Sequence, residues 1–124
     1  MSSIKPRISV EYAENATIIA FTDEKILEQS DINALQDSIA SVIDLAERLN
    51  LVLDFQNVKF LSSAVLGLLI RISKKIYENN GQLRLCNIDP KIYQIFKITR
   101  LTKIFDIYNT LEEALESLDE ADLN

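Results

Sequence analysis

"LVLDFQNVKFLSSAVLGLLIRI", Leu51 to Ile72, joins two apolar runs of different kinds through a polar loop and a pair of serines. The first run, "LVLDF" (Leu51 to Phe55), is short and almost wholly apolar, the pattern of a central strand covered on both faces. The second places Val65, Leu68, Leu69, Ile72 and Ile76 at helical spacing, which predicts a helix from about Ser63 to Asn79. Its end is read at "NNG", with Gly81 in the left-handed cap conformation. A strand followed directly by a helix is half of a parallel crossover unit, so this stretch sets the fold class.

The alternation continues on both sides. "QLRLCN" reads as a strand, and Asp89 and Pro90 start a short helix through about Ile98. "KIFDIY" (Lys103 to Tyr108) reads as a last strand, and Thr110 caps a closing helix, "TLEEALESL". Upstream, "RISVEY" (Arg7 to Tyr12) and "ATIIAF" (Ala16 to Phe21) form a hairpin around "AEN". "SDINALQDSIASVIDLAERLN" follows as an amphipathic helix, with Ile32, Leu35, Ile39, Val42, Ala46 and Leu49 on one face and Ser30 or Asp31 as N-cap. The predicted order is ββαβαβαβα: an α/β fold with a mixed, mostly parallel sheet, one antiparallel hairpin and flanking helices. The 124 residues are read as one domain, 1–124, without repeat or linker, and "DEADLN" as a frayed acidic tail.

Composition removes several function classes. A net charge of -6 argues against a protein whose main work is gripping a phosphate backbone, so neither nucleic acid nor an anionic membrane is an expected partner. Cys86 is the only cysteine, which precludes an internal disulfide or a cysteine-rich zinc site and fits a reduced, cytoplasmic compartment. The N-terminal residues show no apolar signal core, and no apolar run reaches membrane-spanning length. With no histidine, Ser-His and Cys-His nucleophile pairs and His metal sites are impossible. Gly67 and Gly81, the only glycines, are too far apart for a phosphate loop, and no cofactor or metal is expected.

The serine pair has two readings. In the structural one Ser63 caps the helix, accepting from a backbone N–H one turn ahead, worth about 1 kcal/mol. In the functional one a phosphate is tolerated there, because free N–H groups and the positive end of the helix dipole stabilise added negative charge. A phosphate on this edge would expel a partner that packed apolar or acidic groups against it.

Taken together, the Leu51–Ile72 stretch, "GQLRLCNIDP" and "FKITRLTKIFDIY", in this order after a hairpin, resemble the STAS domains of bacterial anti-sigma factor antagonists over nearly the whole chain. In that family the turn is typically Asp-Ser-Ser-Gly-Leu-Gly, and the serine after the Asp is phosphorylated by a partner kinase that doubles as the anti-sigma factor. Aligned on Leu66 and Gly67, the acceptor matches Ser63. The family Asp falls on Ser62, the second serine on Ala64 and the first Gly on Val65, so the flanks differ. The resemblance implies a non-enzymatic partner switch: unphosphorylated, the protein sequesters the anti-sigma factor and frees the sigma factor; phosphorylated, it does not. The implied acceptor is Ser63, with Ser62 second, and the implied contact surface is Asn57, Lys59, Phe60, Leu61, Ser62, Ser63, Ala64, Val65, Leu66 and Gly67, of which Phe60, Leu61, Val65 and Leu66 divide between core and surface. A serine kinase and a phosphoprotein phosphatase are the implied partners, and the chain is expected to be a monomer or weak homodimer.

Other features read more plainly. Asp54 ends a strand as a receiver-domain phosphoacceptor would, but the acidic pair early in the chain, Asp23 and Glu24, follows a hairpin strand, so a helix-facing or loop-capping structural role is favoured. Arg71, Lys74 and Lys75 read as a solvated helix face, with a basic docking stripe as the alternative. Cys86 reads as an inert buried thiol, and Glu112, Glu113, Glu116, Asp119 and Glu120 as one polar side of the last helix. The main rival function is a scaffolding STAS subunit of a larger signalling assembly without a phospho-switch; an enzyme of unknown type is the third.

Overall fold

The computed structural model describes residues 8–44 and 49–122. The strands are β1 (Ile8–Tyr12), β2 (Thr17–Phe21), β3 (Lys25–Ile26), β4 (Asn50–Asp54), β5 (Phe60–Leu61), β6 (Gln82–Cys86) and β7 (Ile107–Tyr108). The helices are α1 (Gln29–Asp44), α2 (Ser63–Glu78), α3 (Pro90–Ile98) and α4 (Leu111–Asp122), with a 3-10 turn at Leu101–Lys103. One sheet has the order β1-β2-β4-β6-β7, antiparallel only between β1 and β2. This is the α/β architecture that the alternation predicts.

Burial on both faces explains the near-continuous apolar strands. Leu51, Leu53, Leu83 and Leu85 point into a core shared with α1, α2 and α3, whereas Ile18, Val52 and Cys86 point the other way, against Ala114 and Leu118 of α4. Because side chains alternate along a strand, a slip of one residue in β4 would exchange those faces. The parallel strands therefore send the chain into α2, α3 and α4 from the same, carboxyl-end edge of the sheet.

Several local expectations are corrected. "KIFDIY" is not one strand: Lys103 ends the 3-10 turn and only Ile107–Tyr108 pair with β6. The left-handed residue after α2 is Asn80, with φ 63°, and not Gly81. The amides of Asn80 and Gly81 reach back to Tyr77 O and Ile76 O, which closes the helix, and Gly81 is required because a Cβ there would lie 2.1 Å from Leu49 O. α1 starts at Gln29, before Ser30; Asp31 lies in its first turn and accepts from the Glu28 amide at 3.4 Å. Leu49 precedes β4 instead of continuing α1. α4 runs to Asp122, so most of the expected tail is helical. Arg7 and Ala46 lie outside the described residues.

Two elements were not anticipated. β3 and β5 pair in parallel, Lys25 with Phe60 and Ile26 with Leu61, as a small second sheet. Two-residue strands carry no periodicity that sequence reading could detect. Arg84 is the other, a cation 6% exposed in the middle of β6. Its guanidinium donates to Ser117 Oγ of α4 at 2.9 Å, to Leu83 O at 3.1 Å and to Asp106 Oδ2 at 3.3 Å, so the buried charge is hydrogen-bonded and paired.

Candidate functional site

The β4–α2 connection is built by short hydrogen bonds. Asp54, 8% exposed, accepts from the Gln56 amide at 3.0 Å and from Asn87 Nδ2 at 3.1 Å, which fixes the turn leaving β4 and ties it to the end of β6. Phe55 and Val58 bury their side chains on either side of the exposed Gln56 and Asn57, and Phe55 meets Phe21 with ring centroids 4.8 Å apart. Asn57 Nδ2 donates to Phe21 O at 3.3 Å. The amides of Lys59 and Phe60 both donate to Glu24 O, at 2.8 and 3.1 Å, and the Ser62 amide donates to Ile26 O at 3.0 Å. The small sheet thus holds the loop rigidly up to the start of α2.

That rigidity aims side chains outward. Phe60 is 50% exposed with Lys25 Nζ 5.5 Å from its ring centroid, and Leu27, just after β3, is also 50% exposed. A large apolar ring held exposed on a hydrogen-bonded strand is the kind of side chain that anchors an interface. Lys59, exposed, reaches Asp89 at 4.0 Å and so bridges the loop to the N-cap residue of α3.

The serines divide. Ser62, with φ -86° and ψ 162°, is the N-cap residue, and Ser63 is the first residue of the helix, so the cap lies one position before the predicted one. Ser62 makes no side-chain cap bond; its Oγ is buried without a partner. Ser63 and Ala64 are exposed, and the Ser63 hydroxyl makes no hydrogen bond among the described residues. Val65 and Leu66, 1% and 6% exposed, belong to the core, Leu61 is half-buried, and Gly67 sits half-buried one turn along. Of the residues named from the resemblance, Asn57, Lys59, Phe60, Ser63 and Ala64 share the exposed edge.

Neighbouring groups are structural. Cys86 Sγ is buried, and burial, then the Asp54 carboxylate, push its thiol up to about 12, so it stays protonated and unreactive. Arg71, Lys74 and Lys75 are exposed, and Lys75 pairs with Asp44 of α1 at 2.7 Å. No helix among the described residues is long and apolar enough to cross a membrane.

Comparison with known proteins agrees with this geometry. An anti-sigma F factor antagonist of Paenibacillus polymyxa is 25% identical over 113 residues, covering 91% of this chain and 95% of its own. An anti-sigma-factor antagonist (STAS) domain protein of Planctomyces limnophilus superposes with a TM-score of 0.83 at 23% identity, over 90% of this chain and 97% of its own. SpoIIAA of Bacillus, at 17% identity, superposes in its unphosphorylated form with a TM-score of 0.75 (91% of this chain, 96% of its own) and in its phosphorylated form with 0.67 (90% and 98%). The STAS domain profile matches residues 7–114, from the hairpin through the serine turn to the first turn of α4, and the chain belongs to the STAS domain family.

Proposed function

We propose that this STAS domain is an anti-sigma factor antagonist that works by binding, not catalysis, and that phosphorylation of Ser63 releases its partner. The observation that carries the reading is the Ser63 hydroxyl: exposed, at the first position of α2, without a hydrogen bond among the described residues, and three residues along the chain from the exposed Phe60. Unmodified, the edge offers Phe60, Ala64 and the polar Asn57 and Lys59 to the anti-sigma factor. A phosphate on Ser63 adds about -1.5 to -2 charge to that surface, where the helix N-terminus tolerates it and an apolar or acidic partner does not. Ser62 is a poorer acceptor, since its Oγ faces inward. The names of the relatives support the role, and the absence of histidine removes the usual nucleophile activation.

The partner kinase that would modify Ser63 and the phosphatase that would restore it complete the cycle. Ser63→Ala is expected to keep its affinity for the anti-sigma factor within about threefold, whereas Ser63→Asp loses about 30-fold, the effect of about 2 kcal/mol for an unpaired charge at an interface. Titration calorimetry with the purified partner reads both. Peptide mass spectrometry of the native protein locates the phosphate. Equal affinity of the two variants would defeat the switch.

A further inference from the structure

We infer that the surface formed by α3 and the 3-10 turn docks on the acidic outer side of α4 of a second copy of this chain, so that copies join head to tail. α3 is short, and its inner side is used by Ile92 and Phe96. On its outer side Lys91, Ile95 and Ile98 follow at i, i+4 and i+7, a single stripe. Ile98 is 81% exposed, Ile95 38%, and Ile104 just past the turn 51%. The Phe96 and Phe105 rings lie 6.0 Å apart, which brings the segment with Ile104 beside α3. Lys91, Lys97, Arg100 and Lys103 are exposed around these isoleucines, and none has an ion pair among the described residues. Between Pro90 and Phe105 there is no acidic residue at all.

The complement is on the same chain. Leu111–Asp122 contains no Lys or Arg, and Glu112, Glu113, Glu116 and Asp119 are exposed along it, with half-buried Leu111 and Leu115 as an apolar margin. The chain cannot satisfy itself, because α3 packs on one face of the sheet and α4 on the other. Two complementary patches on opposite faces make a heterologous contact, in which each copy uses both ends. An anionic membrane is the poorer occupant, because the outer side of α4 offers acidic groups beside an apolar margin, the complement of cations set around isoleucines, whereas a headgroup layer offers only the charge. The contact depends on charge, so it is sensitive to salt, and it does not involve Ser63.

Sedimentation equilibrium of the full chain tests this at about 10 mM and about 1 M salt, where the screening length falls from about 30 to about 3 Å. The expected result is a mass that climbs with concentration at low salt and returns to monomer at high salt. Lys91→Glu, Lys97→Glu and Lys103→Glu combined, or Glu112→Lys and Glu116→Lys combined, should each weaken self-association by about tenfold or more. Mixing the two reversed proteins should restore it, which also shows that both are folded. A protein that is monomeric at low salt, or whose association survives either reversal or is not restored by mixing, overturns the proposal. Monomeric protein that binds phosphatidylglycerol vesicles at low salt would overturn it in favour of a lipid surface.

Discussion

Three helices begin on the same edge of the sheet, and one begins differently. At α3 the Asp89 carboxylate accepts from the Lys91 amide at 2.9 Å, and at α4 the Thr110 hydroxyl accepts from the Glu113 amide at 3.1 Å. At α2 the hydroxyl of the cap residue, Ser62, accepts nothing. A satisfied cap is worth about 1 kcal/mol, so α2 forgoes a stabilisation that its neighbours take. Its packing offsets the loss, because Val65, Leu66, Leu68, Leu69, Ile72 and Ile76 are all buried. The helix start that leaves its amides without a side-chain acceptor is the one that also exposes Ser63 and Phe60, the two residues on which the proposed switch relies.

The contrast is most sharply tested through the partner. Phe60→Ala is expected to weaken anti-sigma factor binding about 30-fold, as loss of a hot-spot aromatic does, whereas Tyr93→Ala, truncating an exposed ring on α3, changes it less than about threefold. Similar losses in calorimetry would mean that the two helix starts do not differ in use. Next in size are the caps themselves. Asp89→Ala and Thr110→Ala should each cost about 1 kcal/mol in urea unfolding, and Ser62→Ala no more than about 0.5 kcal/mol, since its hydroxyl makes no bond to lose. A cost at Ser62 equal to the other two would erase the comparison.

These caps also show where sequence reading succeeds. Asp89-Pro90 and Thr110 were legible because their chemistry is local, a side chain and an amide two or three residues apart. The apolar strand and the helix spacing after it were legible for a similar reason, as burial imposes its period on the chain. At the serine pair two neighbouring residues carry the same hydroxyl, and only the backbone decides which one caps, so the sequence alone puts the cap one residue late. The β3–β5 pairing depends on Glu24, Lys25 and Ile26 meeting Lys59, Phe60 and Leu61 across more than thirty residues, and local pattern contains no trace of it. Arg84 is hidden for a related reason: Ser117 and Asp106, which receive its charge from outside the strand, lie far along the chain, while its own strand reads as any apolar strand does.

The smallest effect separates folding from binding. Ser63→Asp places a negative charge in the first turn of α2, where no acidic residue now stands, and the dipole there should stabilise the fold by about 0.3–1 kcal/mol. The gain should shrink in high salt, because the site is exposed. Urea unfolding at two salt concentrations reads it directly. Stability that rises while affinity for the anti-sigma factor falls can come only from the charge acting at the interface, since a damaged helix start would lower both. A variant that lost stability instead would show that the α2 amides are not available to an anion, and the loss of binding would then be a consequence of local unfolding.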